Sequence, residues 1–403
     1  MSGPFAAKRI LLGVSGSIAA YKAVDLASKL TQAGADVDVL MSYSATQFVT
    51  PLTFRSVTHR AVVSDLLDPD SPEAVEHVAL ATAADALVVA PATAHMIAKL
   101  ALGLADDPIS ITALATGAPL IVAPAMDANL WEHPAVQKNV ETLESRGAMV
   151  VGPGRGRLAS GIFGWGRLAE TPELLGRIAQ ALGRGGDLAG RTVVVTSGGT
   201  TEPIDPVRVV TNRSSGKMGH AVAEAARDRG AHVVLVTAAG LDDPPGVETM
   251  HVETAAEMLD AVLAACRSAD ALVMAAAVAD YRPAEPHPEK IKKDETDALT
   301  VEMVRTTDIL SSAPRGIVRV GFAAESTDLL GHARAKLESK DLDLIVANDI
   351  TLPEGGFGAD TNKVTLLDAD GAEELPLLSK YDVAYRVLDR VVRLIGAKRG
   401  ALR

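Results

Sequence analysis

Apolar residues in the first half of the chain fall into two alternating patterns, short continuous runs and longer stretches at helical spacing. Residues 8–14, 85–90 and 119–123 are apolar runs, as is typical of parallel strands covered on both faces. Residues 36–41 alternate like a strand. Between residues 18 and 33 the spacing predicts an amphipathic helix with the apolar positions Ile18, Tyr21, Val24, Ala27 and Leu30. This alternation of strands and helices predicts a doubly wound α/β sheet.

A glycine-rich segment at 183–190 separates this half from a second one, because four of its eight residues are glycine. The same alternation then starts again. Predicted strands lie at 192–196, 232–237, 271–276, 317–322 and 342–347, and predicted helices at 217–229, 254–267 and 328–340. The sequence therefore predicts two α/β domains, 1–182 and 191–403, each with a doubly wound, Rossmann-like parallel sheet, joined by a linker at 183–190.

The composition narrows the classes of function. Hydrophobic residues make up 48% of the 403 residues, enough for large cores, whereas aromatic residues are only 3%, which disfavours stacking on nucleic-acid bases. The formal net charge of −12 repels nucleic acid and anionic lipid, and no apolar run approaches the ~20 residues of a membrane span. The single cysteine, Cys266, excludes an intramolecular disulfide, and the first residues lack a signal-peptide core. We therefore expect a cytoplasmic protein.

The turn between the first strand and the first helix, residues 13–18, is the first candidate ligand site. Backbone N–H groups and small hydroxyls at a helix N-terminus hold a phosphate well, but a plain tight turn has the same composition, and this segment alone does not separate the two. Its spacing is not G-x-G-x-x-G, which argues against a generic NAD(P) oxidoreductase.

Four motifs follow one another in the first half. G-S-I-A-x-Y-K begins at Gly16, E-H-V-x-L at Glu76, P-A-T-A at Pro91 and P-A-M-x-x-x-x-W at Pro124. In this order and spacing they resemble the homo-oligomeric flavin-containing cysteine decarboxylases. The resemblance implies a flavoprotein fold that binds FMN. In that family the flavin takes a hydride from the carbon that bears the thiol, the resulting β-thioketo acid loses CO₂, and the hydride returns.

The same resemblance assigns roles to individual residues. His77 matches the active-site base, a task that suits an imidazole near neutral pH, although a lone histidine on a helix is more often solvated. The positions that match the FMN-binding residues are Gly16, Ser17, Ile18, Ser42 and Thr93.

Two further catalytic positions depart from the family's pattern. Asp127 stands where the family has an asparagine that contacts the substrate carboxylate, and two carboxylates repel each other. Ser160 stands where the family often has a cysteine proton donor, and a hydroxyl is a far weaker acid than a thiol. These departures motivate an alternative in which the first domain is a non-catalytic, FMN-binding module for oligomerisation or regulation. The Gly- and Arg-rich stretch 152–167 around Ser160 fits a mobile lid, with a plain surface loop as the alternative.

Two motifs dominate the second half. T-S-G-G-T-T-E-P-I-D-P-V-R spans 196–208, and N-R-S-S-G-K-M-G spans 212–219. The second is not a P-loop, because position 211 is Thr and position 218 is Met. Over about residues 191–390 the chain resembles the phosphopantothenoylcysteine synthetase family, with further matching segments at 275–283, 289–293, 320–325 and 336–348.

That resemblance implies a two-step ligation. In the family, the phosphopantothenate carboxylate attacks the α-phosphate of CTP, and L-cysteine then displaces CMP from the acyl-cytidylate. Carried over by motif, Asn212 contacts the carboxylate, Lys290 handles the triphosphate, and Asp280 lies at the nucleotide and binds Mg²⁺. The nucleotide-site residues by this match are Ala276, Ala277, Asp280, Thr307, Asp308, Ile309, Leu310, Phe322, Lys336 and Lys340. Each of three residues has an alternative role when it is taken singly. Asn212 is then a helix cap, Lys290 part of a solvated charge run, and Phe322 a core residue.

The chain as a whole resembles bifunctional enzymes of coenzyme A synthesis, in which the flavin domain decarboxylates the product of the ligase domain. The expected ligands are phosphopantothenate, L-cysteine, CTP, FMN and Mg²⁺, with no nucleic acid and no membrane. The resemblance also implies a homo-oligomer of trimeric flavin domains and dimeric ligase domains, which together form a dodecamer.

Overall fold

The computed structural model describes residues 3–65, 77–292, 299–325, 329–349 and 358–401. The chain divides into two compact units, residues 1–183 and 184–403. No helix within the described ranges combines the length and the apolar character that a membrane crossing requires.

The first unit is built on a parallel sheet. Its strands are β1 (Arg9–Val14), β2 (Asp36–Met41), β3 (Val62–Val63), β4 (Ala86–Ala92), β5 (Leu120–Pro124), β6 (Met149–Val150), β7 (Gly154–Arg157) and β8 (Phe163–Arg167). Its helices are α1 (Ala20–Gln32), α2 (Tyr43–Thr46), α3 (Pro51–Thr58), α4 (His77–Ala83), α5 (Ala94–Leu102), α6 (Pro108–Ala115), α7 (Ala128–Trp131), α8 (Pro134–Ser145) and α9 (Thr171–Gly183). The sheet has the order β3-β2-β1-β4-β5-β6, and β7 and β8 form a separate antiparallel hairpin.

Continuous apolar strands place this sheet between two hydrophobic cores. Along β1, Ile10 and Leu12 face one core, and Leu11 faces the other. Helices α1, α3 and α9 cover the first core, and α5, α6 and α8 cover the second. The strand order reverses between β1 and β4, so their carboxyl ends leave a crevice in which ligands bind in folds of this kind.

The predicted helix at 18–33 begins at Ala20, and two of the apolar positions that predicted it are exposed rather than buried. Ile18 and Tyr21 are 60% and 62% exposed, whereas Leu30 is fully buried. Ile18 precedes α1, Tyr21 lies in its first turn, and both side chains line a cavity. Helical spacing alone does not distinguish a cavity position from a core position.

The second unit has a larger sheet. Its strands are β9 (Thr192–Ser197), β10 (Thr201–Pro203), β11 (Val209–Thr211), β12 (His232–Thr237), β13 (Glu248–His251), β14 (Ala271–Met274), β15 (Tyr281–Pro283), β16 (Met303–Arg305), β17 (Val318–Glu325), β18 (Leu344–Asp349), β19 (Thr361–Asn362), β20 (Val364–Asp368), β21 (Gly371–Glu374) and β22 (Leu378–Ser379). Its helices are α10 (Lys217–Arg227), α11 (Ala255–Ala265), α12 (Ile309–Ser312), α13 (Leu329–Ser339) and α14 (Lys380–Ala401), and a 3₁₀ turn spans Cys266–Ser268.

The main sheet of this unit has the order β13-β12-β9-β14-β17-β18-β20-β21. The strands from β13 to β18 pair in parallel, which confirms the predicted doubly wound fold, while β20 and β21 add an antiparallel edge. Residues from the predicted linker pack on this unit: Leu188 is buried in its core, and Asp187 accepts a hydrogen bond from Nε of Arg229 at 2.9 Å. Cys266 is buried, which raises the pKa of its thiol to about 12 and fits a core residue.

Candidate active sites

The first unit contains a cavity of about 580 Å³ beyond the carboxyl ends of β1 and β5. The turn before α1 forms one wall, the turn after β5 forms another, and the β7–β8 hairpin closes the cavity. Four predicted site residues line it, namely Ser17, Ile18, Asp127 and Ser160. The structure thus brings both departures from the family's pattern into one cavity with part of the predicted FMN site.

The turn before α1 suits a phosphate. The hydroxyl of Ser15 donates to the Pro91 carbonyl at 2.7 Å and accepts from the N–H of Thr93 at 3.0 Å, which ties β1 to β4. A Cβ on Gly16 would lie 2.3 Å from Cβ of Ser44, so the turn packs tightly on α2. Among the described residues, the backbone N–H groups of Gly16 and Ile18 have no hydrogen-bond acceptor. Free N–H groups at the start of a helix are the donors that bind phosphate.

Thr93 and Ser42, two other predicted residues of the first unit, lie near this turn but are not among the described residues that line the cavity. Thr93 caps α5 by accepting from the N–H of Met96 at 3.2 Å, and Ser42 caps α2 by accepting from that of Ala45 at 3.3 Å. His77 is the first residue of α4, and its side chain lies outside the described part. Glu76, which precedes it in the motif, is also outside the described residues.

Asp127 and Ser160 form a pair across the cavity. The Ser160 hydroxyl donates to Oδ2 of Asp127 at 2.6 Å, and the N–H of Asn129 donates to Oδ1 at 3.1 Å. The Ser160 hydroxyl first, and then the Asn129 N–H, lower the pKa of Asp127. The carboxylate is therefore ionised at neutral pH, and the hairpin that carries Ser160 is joined to the turn after β5.

The second unit contains a cavity of about 870 Å³, formed by loops beyond the carboxyl ends of its parallel strands. A volume of this order holds a nucleotide or another ligand of similar size. The predicted residues on its wall are Asn212, Ala276, Ala277, Asp280, Thr307, Asp308, Ile309, Leu310, Phe322 and Lys340. Phe322, for which a core position is the alternative, lines this wall and also packs, half-buried, against the hydrophobic core of the unit.

Backbone hydrogen bonds fix the turn of small residues that follows β14. The N–H of Ala277 donates to the Gly198 carbonyl at 2.8 Å, and the N–H of Ala276 donates to Oγ1 of Thr196 at 3.1 Å. Both bonds join this turn to the end of β9. The peptides at these positions therefore lie on the cavity wall, where a ligand can approach the backbone.

The N-R-S-S-G-K-M-G motif packs directly on the end of β9. A Cβ on Gly219 would lie 2.5 Å from the carbonyl oxygen of Thr196, so only glycine lets α10 approach this closely. The α10 N-cap is Gly216, and Asn212 instead donates from its side-chain amide to the Val278 carbonyl at 2.9 Å. The helix-cap interpretation of Asn212 is therefore wrong.

Asp308 and Lys340 form an ion pair at 2.8 Å on the cavity wall. Burial acts to raise the pKa of Asp308, but hydrogen bonds from Lys340 and from the N–H of Ser311 outweigh it, so the pKa lies below its ordinary value. The pair fixes the Lys340 ammonium where it can meet an anionic ligand.

Lys290 and Lys336 are not on the cavity wall. Lys290 is exposed on the segment that follows β15, and Lys336 lies on α13. The N–H of the residue after Lys290, Ile291, donates to the buried Asp205 carboxylate at 3.2 Å, and Arg208 donates to the Ile291 carbonyl at 2.7 Å. The E-P-I-D-P-V-R motif thus holds the Lys290 segment by its backbone.

Comparison with known proteins matches both units. A family model described as "Flavoprotein" matches residues 2–183, and one described as "DNA/pantothenate metabolism flavoprotein C-terminal domain" matches residues 188–395. A coenzyme A biosynthesis bifunctional protein CoaBC of Bacillus subtilis (strain 168) is 45% identical over 396 residues, covering 96% of this chain and 97% of that protein. The chain belongs to the CoaBC family.

Two further proteins are similar to all or part of this chain. The CoaBC protein of Mycobacterium tuberculosis (strain H37Rv) is 45% identical over 409 residues, covering 96% of this chain and 97% of that one. A solved FMN-dependent cysteine decarboxylase, SpaF, is 35% identical and covers 44% of this chain and 97% of that chain, with a TM-score of 0.39.

Three cations on the wall of the second cavity of this CoaBC-family chain were not predicted as site residues, namely Arg213, Arg305 and Lys380. Lys380, the first residue of α14, lines the cavity and is buried, and it donates to the Thr361 carbonyl at 3.1 Å. Lys217 donates to the Gly358 carbonyl at 2.9 Å and pairs with Asp360 at 2.7 Å. Burial, and then the nearby Lys217 charge, lower the pKa of Lys380. Lys380 lies outside every motif recognised in the sequence, so only the fold shows that it lines this cavity.

His220 lies behind the wall of the second cavity, where it contacts Gly216 of the wall and Ser197. The Gly216 carbonyl accepts from the Ser197 hydroxyl at 2.8 Å and from the N–H of His220 at 3.1 Å. The imidazole Nδ1 lies 2.9 Å from Oγ of Ser197 and 3.2 Å from the Gly216 oxygen. Because the Ser197 proton goes to the carbonyl, Nδ1 carries a proton and donates, and Nε2 is a buried acceptor without a partner in the described ranges.

We expect His220→Asn to weaken the pH dependence of stability. Burial lowers the pKa of His220 below 6.5. Below pH ~6.5 the unfolded histidine binds a proton that the folded one excludes, so the stability contributed by neutral His220 is present above that pH and lost as the pH falls. Urea unfolding of the second unit, followed from about pH 7.5 to 5, should show a steeper acid loss in the wild type than in the variant. Equal slopes would contradict the assignment.

Proposed function

We propose that this chain catalyses two consecutive steps of coenzyme A synthesis. The second unit ligates phosphopantothenate to L-cysteine with CTP, and the first unit decarboxylates the product with FMN. The observation that carries the proposal is CoaBC similarity over 96% of the chain. One ligand-sized cavity at the strand ends of each unit supports it. Similarity along both units favours two catalytic halves over a non-catalytic first unit.

The ligation begins with activation of a carboxylate, which is otherwise a poor electrophile. A carboxylate oxygen of phosphopantothenate attacks the α-phosphorus of CTP, the bond to the β-phosphate oxygen breaks, and pyrophosphate leaves. The cysteine amine then attacks the acyl carbon, the carbon–oxygen bond to CMP breaks, and the amine releases a proton to solvent. Charge builds up on the phosphate oxygens, so fixed cations and donors at the site stabilise both steps.

The wall residues fit these tasks. The amide nitrogen of Asn212 has two hydrogens, one of which goes to the Val278 carbonyl at 2.9 Å, so the other is available to the substrate carboxylate. Lys340 and Lys380 place ammonium groups on the wall for the triphosphate. Lys290, held by its neighbour Ile291, serves the triphosphate from the adjoining segment. We assign these roles as part of the proposal.

The decarboxylation relies on the first cavity. The flavin supplies the redox chemistry at the carbon that bears the thiol. The free N–H groups of Gly16 and Ile18 would hold the FMN phosphate, together with Ser17, and Ser42 and Thr93 shape the neighbouring turns. His77 acts as the base on the substrate thiol. We assign Asp127 to the contact with the substrate carboxylate and the Ser160 hydroxyl, which donates to it at 2.6 Å, to protonation of the product.

Mg²⁺ belongs to the proposal as a partner of CTP. Within the described residues no group of three or more His, Cys, Asp and Glu side chains is placed to hold a metal ion. Mg²⁺ usually takes one or two carboxylates and otherwise substrate phosphates and waters. Asp280, exposed on the wall of the second cavity, is the carboxylate that we assign to it.

We also propose that the chain forms a homo-oligomer through the first unit. Large apolar side chains are exposed there, among them Tyr43 at 78%, Leu52 and Leu102 at 69%, and Phe163 at 67%. Exposed apolar side chains of this size support association with further copies of the chain if they form a contiguous patch. Sedimentation of the purified protein tests this, and a monomer at micromolar concentration would reject it.

The decisive experiment assays both half-reactions on one preparation. CTP, phosphopantothenate and cysteine should yield pyrophosphate and CMP, and phosphopantothenoylcysteine should yield CO₂ from protein with a bound-flavin spectrum. The control variant His77→Asn should lose CO₂ release but keep pyrophosphate formation. Ligation without any CO₂ release would instead support the non-catalytic first unit.

Removing the charge of Asp127 should tighten substrate binding. In Asp127→Asn the amide oxygen replaces Oδ1 and still accepts from the N–H of Asn129, whereas the amide NH2 replaces Oδ2 and donates to the Ser160 oxygen. The substitution removes the negative charge that faces the substrate carboxylate. We expect the KM for phosphopantothenoylcysteine to fall about 3- to 10-fold, since exposed charge pairs are worth ~1 kcal/mol. Steady-state CO₂ release measures this, with Asp25→Asn on the exposed side of α1 as the control. A KM that rises would show that the carboxylate itself assists binding.

A further inference from the structure

Three cations lie on the wall of the first cavity, and their surroundings differ. Lys22 comes from α1, and Arg157 and Arg167 come from the two strands of the hairpin. Among the described residues, the same wall carries one carboxylate, Asp127, which accepts a hydrogen bond from the Ser160 hydroxyl. The cavity therefore holds more positive than negative charge, as suits an anionic ligand.

Glu170 forms ion pairs with two of these three cations. Nζ of Lys22 donates to both of its oxygens at 3.0 Å, and the Arg167 guanidinium donates to one of them at 2.9 Å. The Arg167 side chain also lies over Gly156 on the other strand of the hairpin, because a Cβ at Gly156 would come within 2.6 Å of it. The hairpin therefore restricts the position of the Arg167 side chain. Both side chains are thus held by the protein itself.

Arg157 is the third cation, and it is not held in this way. In the described parts of the first unit, 3–65 and 77–183, its guanidinium has no hydrogen-bond, ion-pair or ring partner. A guanidinium has five N–H donors in a fork that matches phosphate and carboxylate oxygens. An unpaired arginine on a cavity wall, three residues from Ser160, is thus positioned to meet an anionic group of a bound ligand.

We propose that Arg157 binds the phosphate of the decarboxylase substrate and sets its specificity for phosphorylated substrates. The inference rests on the proposed decarboxylation. The substrate has two anionic groups, a phosphate and the carboxylate that leaves as CO₂. The carboxylate loses its charge during the reaction, so a strong ion pair with it would stabilise the ground state and slow the step. The phosphate keeps its charge throughout, so a guanidinium there improves binding without opposing the chemistry.

The test compares phosphopantothenoylcysteine with pantothenoylcysteine, which lacks the phosphate. For Arg157→Gln we expect the KM of the phosphorylated substrate to rise about 10- to 100-fold with kcat unchanged, the range for a lost hydrogen bond to a charged group. The KM of the unphosphorylated substrate should change less than about 2-fold, since no contact is lost. Arg157→Lys should recover part of the loss, because it keeps the charge but not the fork.

Arg155→Gln is the matched control. Arg155 is on the same strand, but it lies over the Phe163 ring at 5.4 Å and does not line the cavity. It should leave both KM values as in the wild type. Flavin absorbance and sedimentation of each variant show that the FMN site and the assembly are intact.

Three results would overturn the proposal. An equal rise in KM for both substrates would place Arg157 at the shared carboxylate. Loss of FMN from Arg157→Gln would assign the side chain to the cofactor phosphate, and an altered sedimentation coefficient would assign it to a subunit contact. Turnover of either substrate by the wild type establishes decarboxylation independently, so failure of this inference is distinguishable from failure of the proposed function.

Discussion

Asp205→Ala should lower ligase turnover on the order of 100-fold, because a displacement of a catalytic group by ~1 Å has that effect. The Asp205 carboxylate is buried and accepts from the N–H groups of Val207 and Arg208, each at 2.8 Å, and of Ile291 at 3.2 Å. Removing it leaves three backbone donors without their acceptor and releases the segment that carries Lys290. Pyrophosphate formation from CTP measures the loss.

The protonation state of Asp205 supports this expectation. Burial acts to raise its pKa, but the N–H groups of Val207, Arg208 and Ile291 outweigh burial and hold the pKa below 3.8. The carboxylate is therefore ionised in any ordinary assay, and its bonds to the backbone are charge-assisted. An ionised acceptor with three N–H donors is a rigid junction, and a methyl group cannot replace it.

Two variants control the Asp205 experiment. Asp205→Asn keeps one acceptor oxygen and should lie between the wild type and Asp205→Ala. Asp260→Ala, on the exposed face of α11, should leave ligation unchanged. The flavin spectrum and CO₂ release of the first unit should be intact in all three. If Asp205→Ala ligated at the rate of the wild type, other contacts would position the Lys290 segment.

Apolar strands made the sheets predictable from sequence. β1, β4, β9 and β12 are continuous apolar runs, because both faces of each strand are buried, and this leaves a strong local signal. The antiparallel edge was not predicted. The apolar run of β20 resembles that of a parallel strand, and its direction depends on the connection from β18 and on the short turn into β21.

The second site was predictable where its residues belong to a motif. Asn212 and Asp280 follow strand ends within recognisable segments, and the fold brings them to one wall. Lys380 contributes to the same wall from the start of α14, more than 160 positions after Asn212. No local pattern relates such distant positions, so its role emerges only from packing. Lys290 shows the opposite case, because its motif is clear but its side chain is not on the wall.

Gly166→Ala should reduce decarboxylation on the order of 100-fold by displacing the hairpin, since misplacement of a site residue by ~1 Å has an effect of that size. Gly166 has a φ of 149°, and a Cβ there would lie 2.1 Å from the carbonyl oxygen of Met126. Its own carbonyl accepts from the N–H of Met126 at 3.0 Å. β8 thus lies directly on the turn after β5, and the added methyl must push the two apart.

The displacement would separate Ser160 from Asp127, because the first is carried by the hairpin and the second by the turn after β5. Gly161→Ala is the matched control: its φ of 86° is also unfavourable for alanine, but a Cβ there meets no atom within 4 Å. Backbone strain alone should therefore appear in both variants, and the contact with Met126 only in Gly166→Ala. CO₂ release and the ligase assay, measured side by side, should show loss in the first unit alone. If both glycine variants lost CO₂ release equally, backbone strain rather than the close contact would explain the effect, and the hairpin would need no such junction to position Ser160.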